Sequence, residues 1–430
     1  MNAGGARQDG PMADSMPLPR APKVLAIVQA GGKGSRMGAL TADRAKPALP
    51  FGGTHQLIDI TLSNVANSGI GSVWVSVQYQ AGSLDEHLQH GRPWDLDRNV
   101  GGFRRVVPDE VDAVRTGGFA AGNADDLYRI RREIEREDAD VVVVLSADQI
   151  FALDLRDVIA AHLETGAACT IVTTQVSRSQ ASDKAVVITD ATGKVTRVAE
   201  KPENPESTTI SAEIFVYEKD ALLSGLDKAE KATRPDDGKG EDVVDETGLG
   251  DFAEHLLPQI IADGPVRTYP LEGYWKDMGR PELYLAAHRD LVRGVVRVFD
   301  DVDWPMRTLA TNRGAARVRA GAVVAESVIS PGCDIAGTVR GSTLGPGVVV
   351  REGAVVEDSV IFDACVIERE AVVSTSILDA NVAVRAGVRV GTSSAGKRAH
   401  DDAIAVVGHD SVVRSDVVAG SQIDPGSTVA

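Results

Sequence analysis

Residues 24–37, VLAIVQAGGKGSRM, join an uncharged run to a loop with three glycines and an arginine. The unbroken apolar stretch Val24 to Val28 suits a central parallel strand covered on both faces. Glycines at a strand-to-helix turn let backbone N–H groups come close to an anion, so Gly31, Gly32 and Gly34 are candidate phosphate binders. Further apolar runs follow at Val73–Val77, Val141–Leu145 and Cys169–Thr174, and the spacing predicts helices over Asp125–Glu137 and Leu153–Thr165. Strands alternating with helices indicate βαβ units in a doubly wound, mostly parallel α/β sheet.

Downstream, short strands are expected at Ala185–Thr189, Val195–Ala199 and Thr209–Tyr217. Residues 227–250 are charged and poor in apolar groups, which predicts a mobile surface insertion. Helices are expected over Asp251–Ala262 and Glu282–Arg293. From about Val318 the pattern changes, with Val, Ile or Leu recurring every five to six residues beside Gly or Ala. That period marks a parallel β-helix, each repeat forming one face of a coil. A β-sandwich would alternate in twos and carry Asn-Gly or Asp-Gly hairpins, which this stretch lacks. The expected domains are a disordered leader over 1–22, a catalytic domain over 23–295, a linker over 296–314 and a β-helix with its tail over 315–430.

The 430 residues carry 45 Lys and Arg against 62 Asp and Glu, a net charge of −17. That balance argues against an electrostatic grip on nucleic acid or an anionic membrane. An aromatic content of 4% offers little surface for stacking bases. No run of 18 apolar residues is present, and the N-terminal residues lack the apolar core of a signal peptide. Cys169, Cys333 and Cys365 stand far apart, as expected of thiols in a reducing cytoplasm.

The glycine loop is neither of two familiar nucleotide motifs. Gly-x-x-x-x-Gly-Lys-Ser/Thr is absent, and Gly-x-Gly-x-x-Gly fails because Met37 stands three residues after Gly34. Arg36 and Lys46 bracket a short segment and can both reach a triphosphate held by the glycines. Two fixed cations near a reacting phosphorus stabilise charge that grows in the transition state. Asp148 follows an apolar strand, and the carboxyl end of a parallel strand is where open α/β sheets bind ligands. An aspartate there also reads as a helix cap. The residues alone do not pair Asp148 with Asp277.

Gly31-Gly32-x-Gly34-x-Arg36-Met37 followed by Lys46-Pro47 resembles the signature of sugar-phosphate nucleotidyltransferases. Arg44–Ile70, RAKPALPFGGTHQLIDITLSNVANSGI, resembles the glucose-1-phosphate adenylyltransferase branch. The resemblance runs from about Val24 to Val390 and includes Glu200-Lys201-Pro202 and Tyr274-Trp275-Lys276-Asp277-Met278-Gly279. It implies a Rossmann-like nucleotidyltransferase domain followed by a left-handed parallel β-helix. The implied reaction joins ATP and glucose 1-phosphate into ADP-glucose and releases pyrophosphate, for glycogen or α-glucan synthesis. By resemblance, Asp148 and Asp277 hold Mg²⁺, Arg36, Lys46 and Asp148 are catalytic, and Gln78, Gly122 and Asn123 join the glycines at the nucleotide. Ala185, Glu200, Lys201 and Ser211 fall at the sugar phosphate. A homotetramer and an anionic metabolite effector are also implied, with Asp43-Arg44, Arg307 and Arg313 as effector candidates.

Four departures from the family pattern stand out. Gly-Asp-His becomes Ala147-Asp148-Gln149, and a Trp-Tyr pair becomes Phe119-Ala120. In the sugar pocket Ala-Phe-Gly becomes Asp183-Lys184-Ala185, and Ser-Met-Gly becomes Ser211-Ala212-Glu213. Glu213 adds bulk and charge where a sugar lies, unless its side chain turns away. Two alternatives therefore accompany the ADP-glucose reading: a relative using another sugar phosphate or nucleotide, and a non-catalytic regulatory paralogue. A β-helix acyltransferase is disfavoured, because His400 and His409 lie beyond the regular coil.

Overall fold

The computed structural model describes residues 20–32, 34–107, 122–233, 249–392 and 403–430. Most of the expected leader, and the Phe119-Ala120 departure, lie outside the described residues.

The N-terminal part is built on a nine-stranded sheet. Its strands are β1 (Val24–Gln29), β2 (Ser72–Ser76), β3 (Gly102–Val106), β4 (Val141–Ser146), β5 (Cys169–Gln175), β6 (Ala185–Thr189), β7 (Val195–Glu200), β8 (Thr209–Glu218) and β9 (Val266–Pro270). The spatial order is β7-β6-β8-β4-β1-β2-β3, and β5 joins β8 to β9. Strands β4, β1, β2 and β3 run parallel, while β8 lies antiparallel to β4, β5 and β6. The sheet is thus Rossmann-like over β4-β1-β2-β3 and mixed beyond β4. Alternate residues of β1 serve the two faces: Ala26 and Val28 pack with Ile58 and Leu62, Leu25 and Ile27 with Leu127 and Leu222. Both faces are covered by helices, which is why the strand reads as unbroken apolar sequence.

Two expected helices are divided. Asp125–Glu137 becomes Asn123–Arg129 and Arg131–Arg136, broken at Ile130 (φ −100°, ψ 8°). Asp251–Ala262 becomes a π-helical turn, Phe252–Leu256, and a helix, Leu257–Asp263, with Pro258 in its first turn. Pro258 has no N–H to donate, so the helical ladder changes step there. The expected surface insertion is corrected over its first residues. Asp227–Thr233 continues the helix Lys219–Thr233, because Leu222, Leu226 and Ala229 form a buried seam through the charged sequence. Residues 234–248 of that stretch lie outside the described residues.

The C-terminal part is a left-handed β-helix with three parallel sheets of seven, six and six strands. Each face stacks like on like. Ile335, Val350, Ile367, Val384 and Val413 form one ladder, and Val339, Val356, Val373, Val390 and Val417 another. These side chains make one interior core. All three cysteines are buried free thiols. Among the described residues no helix is long and apolar enough to cross a membrane.

The two parts share a core in which Met37, Leu40, Phe51 and Tyr284 meet Phe362, Ile377 and Val406. Gly38 sits at this junction with φ 58°, a backbone conformation that favours glycine, and the Gln422 side chain packs against it. Arg44 Nη2 donates to Asp379 Oδ1 at 2.7 Å, so this effector candidate is tied to a fully buried carboxylate of the β-helix. Asp43 accepts from His409 Nε2 at 3.1 Å. The expected linker is packed down as well, Trp304 Nε1 donating to Asn64 Oδ1 at 2.9 Å.

Candidate active site

Residues 24–37 deliver their chemistry to one end of the sheet. Beyond β1 the chain enters Gly31 and Gly32, and Gly34 (φ 61°) then caps a short 3₁₀ helix, Ser35–Thr41. A cleft of about 660 Å³ opens there, lined by every assigned site residue except Gly34. Gly34 lies behind the wall, where a Cβ would come within 3.1 Å of the Lys46 Cβ. It shapes the loop under Lys46 and does not line the cleft.

Lys46 is the hub of the ionic network. Its buried ammonium reaches Asp148 Oδ2 at 2.5 Å and Asp277 Oδ1 at 3.4 Å. Burial lowers the pKa of Lys46, but the two aspartates outweigh it and the group stands above the ordinary lysine value. Burial likewise raises the Asp277 carboxyl, but Lys46 and Lys184 hold it below the usual carboxylate range. The two aspartates, remote in sequence, meet through a small antiparallel pairing: Gln149–Ile150 zips against Lys276–Asp277, with Asp277 opposite Gln149. Two carboxylate oxygens therefore converge on one cationic point. A divalent ion that takes one or two carboxylates and completes its shell with phosphate oxygens and water suits this donor set.

The wall of the cleft that resemblance assigns to the nucleotide is organised by Asp126, a residue that sequence reading passed over. Asp126 accepts from Ser76 Oγ (2.7 Å), Gln29 Nε2 (3.0 Å) and Gln78 Nε2 (3.2 Å). Burial raises its pKa, with the Ser76 and Gln29 donors opposing. Gln78 is thus a held side chain on the cleft wall. At Gly122 a Cβ would fall 2.3 Å from the Gly250 carbonyl, so glycine permits the close passage of the chain there. Asn123 N–H donates to Asp251 Oδ1 at 3.3 Å.

The sugar-phosphate candidates also converge. Ala185 and Glu200 are direct partners across β6 and β7. Lys201, next in the chain, pairs with Glu200 and lies 4.0 Å from Asp251. Burial lowers its pKa and Glu200 more than restores it, leaving it raised. Ser211 is buried, and its Oγ accepts the Glu213 N–H at 3.0 Å.

Glu213 does not turn away. It stands in the register shift of β8 between Ser211 and Phe215, at φ 53°, and lines the cleft. Burial and the nearby Asp148 and Asp277 push its carboxyl up to about 7. Lys184, not assigned from sequence, binds Asp277. Asp126 carried only the signal common to any Asp on a helix, and Lys184 was noted as a departure in the sugar pocket without a role; the contact with Asp277 emerges from the folded arrangement.

Known proteins give the same picture. Residues 25–294 match the nucleotidyl transferase family model, and 313–413 match the GlmU-like, C-terminal hexapeptide model. The chain is 32% identical to the glucose-1-phosphate adenylyltransferase of Fervidobacterium nodosum, over 94% of this chain and 95% of the relative. It is 34% identical to that of Corynebacterium kroppenstedtii, over 77% and 82%, and 33% identical to that of Bacillus thuringiensis, over 85% and 94%. Glycine loop, ionic hub, β-helix and these likenesses agree, and the chain belongs to the glucose-1-phosphate adenylyltransferase branch of the nucleotidyl transferase family.

Proposed function

We propose that this protein converts ATP and glucose 1-phosphate into ADP-glucose and pyrophosphate. The observation that carries the reading is the convergence of Lys46, Asp148 and Asp277 in the cleft entered by the glycine loop. A sugar-phosphate oxygen attacks the α-phosphorus of ATP, one P–O bond forms, and the bond to the pyrophosphate oxygen breaks. Gly31 and Gly32 leave room for phosphate oxygens, and Gln78, held by Asp126, faces the base. Lys46 and Arg36 stabilise the negative charge that grows on the phosphates. Lys201 grips the sugar phosphate as a point charge, while Glu200, Ser211 and Ala185 shape its surroundings.

Asp148 and Asp277 would hold Mg²⁺, which supplies charge neutralisation of the triphosphate and of the leaving pyrophosphate. The rest of the chain's work is positioning, because phosphoryl transfer of this kind needs no covalent enzyme intermediate. A homotetramer, an anionic effector and a cytoplasmic site of action belong to the same reading. Arg44 would have to leave Asp379 to meet such an effector.

The test is direct. Protein incubated with Mg²⁺, ATP and glucose 1-phosphate is expected to form ADP-glucose and pyrophosphate in equal amounts. Absence of both products, with anionic effectors supplied, would point to the regulatory paralogue.

A further inference from the structure

Three side chains at family departures come together around one indole. Trp275 Nε1 donates to Gln149 Oε1 at 3.0 Å, which fixes the direction of that amide. Gln149 Nε2 then donates to Glu213 Oε2 at 3.1 Å. Lys184 lies over the face of Trp275, 5.7 Å from the ring centre, and binds Asp277. Glu213 keeps a left-handed backbone that an L-residue adopts at a penalty of about 1–2 kcal/mol. It is anchored there by the Ser211 hydroxyl.

Glu213 has acceptor capacity that the protein does not use. A carboxylate offers about four acceptor positions. Among the described residues, Gln149 alone donates to its side chain. The group is deep in the cleft beside Ser211. Glu213 shares this floor with Asp148, Asp277, Lys184 and Lys46, and Arg36 and Lys201 line the same cleft. A buried carboxyl with spare acceptor positions is completed best by a ligand that brings donors, and a cationic donor would hold it in its ionised form.

We propose that Gln149, Lys184 and Glu213 act as one sugar-selecting unit, and that the cleft accepts an amino-sugar 1-phosphate at least as well as glucose 1-phosphate. The primary ammonium of such a sugar donates to Glu213, while Gln149 and Trp275 hold the carboxylate in place. This rests on the nucleotidyl-transfer reading above, since the amino sugar enters by the same phosphate and reacts at the same α-phosphorus.

The experiment compares glucosamine 1-phosphate with glucose 1-phosphate. Pyrophosphate release with ATP and Mg²⁺ gives the ratio of their kcat/KM values, and calorimetric titration gives the ratio of their Kd values. The wild-type ratio is expected to be at or above parity for the amino sugar. Glu213→Gln is expected to lower it roughly ten- to a hundredfold, the range for a hydrogen bond between charged groups. Glu213→Gly serves as the second variant, since glycine suits the φ of 53°, and it should lower the ratio likewise. A wild-type ratio far below parity, or one unmoved by either variant, overturns the proposal while ADP-glucose formation still supports the reaction. A change in Mg²⁺ requirement with no change in ratio overturns it also. If no sugar phosphate is turned over, the reaction reading fails, and the Kd ratios still decide whether Glu213 selects the amine.

Discussion

The β-helix and the sheet end that carries the cleft use sequence in opposite ways. In the β-helix each position has counterparts one coil away, so Ile367 lies between Val350 and Val384 and does the same job as both. At the cleft no position has a counterpart: Lys46, Asp148, Lys184, Glu213 and Asp277 come from five separate stretches and meet once. Repetition secures stability through many equivalent apolar contacts. Convergence places several like and unlike charges in one desolvated pocket, which is unfavourable for folding unless they compensate one another. The two regions should therefore fail differently when altered.

The largest effect is expected at the hub. Asp148→Asn should lower turnover roughly a thousandfold, in the range of lost electrostatic groups at phosphoryl centres, with an unchanged circular dichroism spectrum. Normal turnover would remove Asp148 from the mechanism. In the β-helix, Ile367→Ala should cost about 2–5 kcal/mol of stability by chemical denaturation, with kcat preserved in the folded molecules. A fall in kcat there would mean that the two regions are not separable.

A smaller effect is expected at Lys201, which is about half exposed. Lys201→Ala should raise the KM for the sugar phosphate about tenfold and change kcat less. Asp379 links the regions, and Asp379→Ala leaves Arg44 without its partner in a largely buried place. Thermal melting should show a larger loss for this variant than for Glu352→Ala, whose partner Arg369 is exposed and 3.6 Å away.

Buried imidazoles should give one part of the pH dependence of stability. Burial pushes His162 and His288 down to about 4. The unfolded chain takes up protons at both from about pH 6.5 downward, and the folded chain does not until about pH 4. The imidazole contribution to stability should therefore fall as pH drops through that window, while the raised Glu213 carboxyl opposes it, so melting of wild type and His288→Gln at pH 7 and pH 5 isolates the imidazole share. His288→Gln should flatten the slope.

The same contrast explains what could be read in advance. The β-helix was legible because its period is written many times over in the sequence. Strand β1 and the glycine loop were legible because an apolar run ending in glycines has few other uses. The pairing of Asp148 with Asp277 was legible only through family resemblance, since a two-residue strand pairing carries no pattern of its own. The partnership of Gln149, Lys184 and Glu213 was not legible. Resemblance put the Lys184 and Glu213 departures in one sugar pocket, but nothing tied Gln149 to them before its bonds to Trp275 and Glu213. The helix through Asp227–Thr233 was obscured because charged residues outnumber its buried seam.

In the proposed reaction the ionic hub of the cleft performs the chemistry and the β-helix supports it. The most direct test measures ADP-glucose formation by wild type, Asp148→Asn and Ile367→Ala at one temperature where all three are folded. Near-complete loss is expected in Asp148→Asn and wild-type kcat in Ile367→Ala. Retained turnover in the first, or lost turnover in a folded second, would contradict it.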